Sequence, residues 1–297
     1  MQSQMSGSRI RIYLSLIIAI IFIITTTGSS ICWSNGGYSS DENNPDFGTH
    51  DWIANAALQP QTKDISFLKT TYHSRFLLGT EAPDNPSYIG DTGKHHVYYY
   101  ADGGIQDDAC AARASSIYAS ALQYLKSNDF EHAAFEIGVM AHYISDVGVF
   151  GHTMGSTTAW GSETHHSDYE DKINVKVQSI PIPTNIVLES SDAYNATINL
   201  AKDTTFGNAT LHIESNVWMD DHYDWSNESF SSSTLSSMNE SVRMVSSAIN
   251  HLMIDSGEAS GLPAPQGNDS MILIILGVSI ASGSVITVAV YRNRRRR

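Results

Sequence analysis

Basic residues are scarce in the body of this sequence, and cysteine is scarcer still. The chain has 17 lysines and arginines against 31 aspartates and glutamates, and seven of the basic residues lie at its two ends. The part of the chain between the two ends therefore contains ten basic and all 31 acidic residues, a formal charge of −21. Such a charge opposes nonspecific binding to nucleic acid or anionic lipid. The only cysteines are Cys32 and Cys110, so a disulfide framework and a cysteine-rich zinc site are both disfavoured.

Both ends carry uncharged apolar runs. Arg9 and Arg11 precede the first run and a stretch of small polar residues, which predicts a signal peptide at residues 1–32 and Trp33 as the mature amino terminus. An uncleaved anchor is the alternative. Cleavage would remove Cys32 and leave Cys110 alone, so no disulfide is expected within the mature chain.

The second run, residues 271–291, is long enough for a helix of about 30 Å, and the basic tail 292–297 follows it. Because basic flanks stay in the cytoplasm, we predict a single-pass cell-membrane protein with residues 33–255 outside, a stalk at 256–270 and a cytoplasmic tail. The alternative is a sorting signal that is cut and replaced by another anchor. Sequons for glycosylation of an exported chain begin at Asn195, Asn208, Asn227, Asn239 and Asn268.

The residues between the ends are predicted to form one all-α, multi-helix domain. Alanine-rich and periodic apolar segments predict helices at 50–59, 64–77, 105–127, 130–147, 166–178, 190–204 and 233–254. The segment IPIPTN, near residue 180, interrupts the series. No repeat period is evident, and no segment indicates an obligate protein partner.

A cluster of histidines and carboxylates marks the candidate site. His142 and Asp146 stand one helical turn apart in an apolar helix, and His166 and Glu170 repeat that spacing. His152 lies between the pairs, where Gly148 and Gly151 permit a bend. Imidazole and carboxylate without cysteine favour zinc at sites that keep positions open for water.

These residues also carry a resemblance. HYISDVGVFGH followed by HSDYE resembles the zinc-dependent phospholipase C family and the related single-strand-specific fungal nucleases. The segments GTHDWI, GTEAPDNP and GKHHVYYYADGG extend the likeness upstream through His50, Asp84 and either His96 or its neighbour His95. The resemblance implies an all-helical phosphoesterase that binds three zinc ions.

The resemblance also implies the ligands. A first zinc ion would be bound by Asp84, His96, His142 and Asp146, with His95 as the alternative to His96. A second would be bound by His152, His166 and Glu170. The third would use His50, the shared Asp146, and the terminal amine and carbonyl of Trp33.

The predicted function is hydrolysis of a phospholipid phosphodiester at the outer cell surface by a metal-activated water. Asp84 is the candidate catalytic residue, as a ligand that orients the attacking water. Two of the family's positions for choline recognition hold Gly36 and Asn85, so the headgroup stays open. The alternatives are a single-strand nuclease or other phosphodiesterase, and a zinc-binding surface protein without turnover.

Overall fold

Helices dominate the computed structural model, which describes residues 47–257. The α-helices in that range are α1 (Thr49–Ala57), α2 (Ser66–Lys69), α3 (His73–Glu81), α4 (Ala109–Lys126), α5 (Phe130–Asp146), α6 (His166–Lys176), α7 (Ala193–Phe206), α8 (Asn216–Asp221) and α9 (Glu228–Asp255). Short 3-10 turns occur at Thr92–Lys94, Phe150–Thr153 and Val177–Ser179. Strands β1 (Tyr98–Tyr99) and β2 (Ile105–Asp107) form a small antiparallel hairpin. The prediction of a helical domain is confirmed, with the hairpin as an addition.

Helix α5 lies at the centre of the fold. The Asp129 side chain caps its start by accepting a hydrogen bond from the amide of His132 at 3.3 Å. From Ile137 to Asp146 every residue is buried, because α3 and α4 pack along it and α7 and α9 cover it further. Its polar residues His142 and Asp146 are therefore carried into the interior, where ionisable groups need partners or metals.

Two glycines allow α3 and α5 to cross in close contact. A Cβ atom at Gly138 would lie 1.9 Å from the carbonyl oxygen of Phe76, and one at Gly79 would lie 2.1 Å from that of Phe135. Glycine is thus required on both helices at this crossing. The close approach brings the end of α3, with Thr80, against the second half of α5.

Three predicted helix boundaries differ from the structure. The helix predicted at 105–127 begins only at Ala109, because Ile105–Asp107 pairs with β1 across a turn at Gly103, where φ is +88°. The helix predicted at 64–77 is divided into α2 and α3. The helix predicted at 233–254 begins earlier, at Glu228, since the Asn227 side chain caps it. The short α8 was not predicted.

The prediction of a single-pass cell-membrane protein with an extracellular domain is corrected. Within residues 47–257 no helix has both the length and the hydropathy needed to cross a bilayer. Even α9, with 28 residues, is rich in serine and carries charged residues. The run 271–291 that carried the prediction lies outside the described residues, as do the predicted signal peptide 1–32, Trp33 and the tail 292–297. Membrane anchoring and glycosylation gain no support.

Candidate metal centre

Six parts of the chain contribute to one cluster of histidines and carboxylates. The cluster residues, with their positions, are His50 on α1, Asp84 in the turn after α3, His95 after the first 3-10 turn, His142 and Asp146 on α5, His152 in the second 3-10 turn, and His166 and Glu170 on α6. A backbone hydrogen bond from Val97 to the carbonyl of His152, 3.2 Å long, holds two of these segments side by side. The His142–Asp146 pair on α5 and the His166–Glu170 pair on α6, which the spacing predicted, therefore belong to the same cluster.

Asp146 is the centre of the cluster. Its carboxylate is fully buried, and His95 Nδ1, His142 Nε2 and His50 Nε2 lie 2.7, 3.1 and 3.2 Å from its oxygens. His152 Nε2 is 3.9 Å away. Burial alone would raise the pKa of Asp146, but the surrounding imidazoles hold it well below its usual range. Asp146 is therefore an ionised carboxylate that several histidines share.

A second group lies around Glu170, which is also fully buried. His166 Nε2 is 2.8 Å and His152 Nε2 is 3.4 Å from Glu170 Oε1. Burial lowers the pKa of His152 well below its usual range, so its ring is neutral and its nitrogen lone pair is available. Two imidazoles and one carboxylate converge here with the chemistry that zinc prefers.

Asp84 forms the outer side of the cluster. Its oxygens lie 3.5 Å from His95 Nδ1 and 3.8 Å from His142 Nε2, and 15% of its side chain is exposed, whereas that of His142 is fully buried. Asp84 is therefore a carboxylate of the cluster that solvent reaches.

The adjacent histidines at 95 and 96 lie on opposite sides of their segment. His95 is 2% exposed and belongs to the cluster. His96 stacks on the Tyr98 ring at 4.3 Å, and its Nε2 lies 3.2 Å from the carboxylate of Asp107, near the surface. The structure therefore places His95 in the cluster. His96, the first choice from the sequence, lies outside it.

Protein acceptors hold the Nδ1 protons of two histidines. His142 Nδ1 donates to the carbonyl of Thr80 at 2.6 Å, since a carbonyl can only accept. The Ser145 hydroxyl donates to the carbonyl of His142 at 3.0 Å, so its oxygen accepts from His50 Nδ1 at 2.9 Å. Both rings therefore turn Nε2 toward the centre of the cluster, as metal ligation requires.

The cluster fits metal ions. Among the described residues, buried cluster atoms without a hydrogen-bond partner in good geometry include Asp84 Oδ1, both carboxylate oxygens of Asp146, His152 Nε2 and Glu170 Oε2. Three sets of ligand atoms lie within 4.8 Å of one another: His50, Asp84 and His142; His95, His142 and Asp146; and His152, His166 and Glu170. Unpartnered buried acceptors are costly, and cations between them would remove that cost.

Supporting residues of the site were missed by sequence analysis. Thr80 and Ser145 orient histidines, and Asp220 on α8 accepts the amides of Thr164 and His165 at 2.9 and 3.0 Å, which fixes the start of α6. A hydroxyl or carboxylate that is adjacent only in three dimensions leaves no spacing signal.

Solved structures with a similar fold are known. Alpha toxin from Clostridium absonum has a similar structure, with a TM-score of 0.53 and 15% sequence identity over 76% of this chain and 68% of the toxin chain. Alpha-toxin from an avian strain of Clostridium perfringens has a TM-score of 0.48 and 15% identity, over 75% of this chain and 66% of that chain. At such identity the first likeness supports the fold alone.

No curated protein is detectably similar to this chain in sequence. The sequence pattern of the zinc-dependent phospholipase C family, however, matches residues 49–250, which is more than half of the chain and contains the whole described cluster. The resemblance drawn from the sequence is confirmed: the protein belongs to the zinc-dependent phospholipase C family and is a zinc-dependent phosphoric ester hydrolase.

Proposed function

We propose that the protein is a phospholipase C that hydrolyses the phosphodiester bond of a phospholipid, with water as the nucleophile. The observation that carries the proposal is the buried cluster around Asp146, whose neighbours His95, His142 and His50 all lie within 3.2 Å of its carboxylate. Such a cluster suits cations, and membership of a zinc-dependent family favours zinc.

The distances support three proposed sets of ligands. His95 replaces His96 in the first set, beside Asp84, His142 and Asp146. His152, His166 and Glu170 form the second set. His50, on α1, has its Nε2 3.2 Å from the carboxylate of Asp146. We assign these two residues to a third ion, which the terminal amine and carbonyl of Trp33 would complete.

Zinc ions, when bound, supply Lewis acidity toward phosphoryl oxygens and make water acidic enough to lose a proton near neutral pH. Asp84 orients the attacking water, because it is partly exposed, unlike Asp146 and Glu170, and its Oδ1 makes no hydrogen bond among the described residues, with His95 Nδ1 3.5 Å away. The fully buried Asp146 and Glu170 would hold the ions in place. Asn85 is engaged in a local turn, where its side chain accepts from the amide of Ser87 at 2.9 Å.

Hydrolysis is the test. The purified protein would be incubated with vesicles of phosphatidylcholine or phosphatidylethanolamine, and release of the phosphorylated headgroup would be measured. Asp84→Asn should lower the rate at least about 100-fold while zinc content is retained, because it removes a water-orienting carboxylate but keeps an oxygen ligand. Asp221→Asn, an exposed site on α8, is the matched control and should leave the rate unchanged.

The other outcomes decide between functions. Cleavage of single-stranded DNA with no headgroup release would replace the phospholipase proposal with a nuclease. Bound zinc with no hydrolysis of vesicles, DNA or a chromogenic phosphodiester would indicate a zinc-binding protein without turnover. Activity that is unchanged in Asp84→Asn would contradict the role given to Asp84.

A further inference from the structure

Glu163 lies immediately outside the cluster, in the loop before α6. Its Oε1 is 3.3 Å from Nδ1 of His166, whereas Nε2 of the same ring is 2.8 Å from Glu170 Oε1. The imidazole of His166 is thus held between two carboxylates, one in the cluster and one behind it. Nothing in the resemblance or in the sequence spacing assigned a role to Glu163.

Neighbouring groups leave the His166 ring little freedom. A Cβ atom at Gly151 would lie 2.4 Å from Cγ of His166, so the ring packs directly on the backbone there. The His152 ring meets it edge-on, with centroids 4.5 Å apart. Packing therefore fixes the plane of the ring, and one carboxylate lies at each of its two nitrogens.

We propose that Glu163 is a positioning residue that keeps the proton of His166 on Nδ1, so that Nε2 binds a zinc ion together with His152 and Glu170. The inference rests on the proposed function, since it assumes that this set of residues binds zinc. A carboxylate behind a metal-binding imidazole also makes the ring a stronger donor to the metal.

Glu163 differs from the corresponding partners of the other oriented histidines. His142 and His50 donate their Nδ1 protons to a backbone carbonyl and to a hydroxyl, which are neutral acceptors. His166 instead has the charged carboxylate of Glu163 at its Nδ1. The side chain of His166 is 16% exposed, whereas those of His50 and His142 are fully buried. Stronger binding by charge is most useful where water competes for the ion.

The backbone of this loop is held independently of the Glu163 side chain. The carboxylate of Asp220 accepts the amides of Thr164 and His165, the two residues that follow. The Glu163 side chain itself is 28% exposed. Substitutions at this position are therefore expected to leave the fold and the start of α6 intact.

The test is a zinc titration of the full chain in metal-buffered solution, with parent, Glu163→Ala and Glu163→Gln proteins compared. Glu163→Ala should weaken one class of zinc site about 10-fold or more and leave the remaining sites unchanged. Glu163→Gln keeps an oxygen that can accept from Nδ1 but lacks the charge, so its loss should be smaller, about threefold. Chemical unfolding of the metal-free proteins should give equal stabilities.

Asp168→Asn is the matched control. It removes a negative charge from the exposed first turn of the same helix and should leave every zinc affinity unchanged. An equal loss in Asp168→Asn would show a general charge effect and overturn the proposal. So would unchanged zinc affinities in Glu163→Ala, or a loss fully explained by lower stability of the metal-free variant. If the parent binds zinc and hydrolyses phospholipid while Glu163→Ala equals it, only this inference fails; if the parent binds no zinc, the proposed function fails as well.

Discussion

Exchanging either of two neighbouring histidines gives the sharpest comparison within the site. His95 is buried beside Asp146, whereas His96 has 23% of its side chain exposed and pairs with Asp107. We predict that His95→Gln loses zinc and hydrolysis, and that His96→Gln keeps both. The two substitutions are chemically identical and lie at adjacent positions, so each is the control for the other.

The magnitudes follow from the surroundings of each ring. Zinc binding to four protein ligands is worth about 10–16 kcal/mol, so one ligand accounts for roughly 3 kcal/mol and its loss weakens binding about 100-fold. The pair of His96 with Asp107 is partly exposed, and such pairs contribute about 0–1 kcal/mol. His96→Gln should therefore change the free energy of unfolding by less than about 1 kcal/mol and leave zinc affinity unchanged.

Zinc affinity would be measured by competition with a chelator of known strength, and headgroup release would be measured on the same samples. Equal losses in both variants, or loss in His96→Gln alone, would refute the assignment of His95 to the cluster. Loss in neither variant would show that this segment does not contribute to metal binding.

Two further predictions concern the frame of the site. Gly138→Ala should destabilise the protein by about 1–3 kcal/mol in denaturant unfolding, because its Cβ would lie 1.9 Å from a backbone oxygen of α3. Gly93→Ala is the control, since the space around its Cβ position is open, and it should change the free energy of unfolding little. Burial raises the pKa of Asp51 from 3.8 to about 8, in spite of hydrogen bonds from Thr80 and Gly48. The folded state then keeps a proton that the unfolded state loses, so stability should fall between about pH 4 and pH 8 by at most roughly 1.4 kcal/mol per pH unit. Asp51→Asn should reduce that slope in unfolding of the metal-free protein, and an equal slope in both proteins would contradict the argument.

Much of the site could be predicted from the sequence because its pairs are local. His142 with Asp146, and His166 with Glu170, stand one turn apart on α5 and α6, and helix periodicity alone places each pair on one face. The apolar pattern of α5 likewise predicted a buried helix. These features depend only on neighbours along the chain.

The remaining features depend on contacts between distant segments. The choice between His95 and His96 follows from the side of the segment that faces α5, and two identical neighbours carry no signal for that choice. Glu163 precedes His166 by less than a helical turn, but it lies in a loop, where spacing predicts no common face. The β1–β2 hairpin takes the place of the start of the helix predicted at 105–127, because Ile105–Asp107 pairs with a strand that precedes it in the chain.

The most direct test of the metal centre is a crystal structure of the zinc-loaded protein with anomalous diffraction collected at the zinc absorption edge. We expect one anomalous peak among His95, His142 and Asp146 and another among His152, His166 and Glu170. Zinc at both positions, with His96 still paired to Asp107, would establish the cluster as the metal centre. Absence of anomalous density between these residues in protein that hydrolyses phospholipid would contradict the central claim.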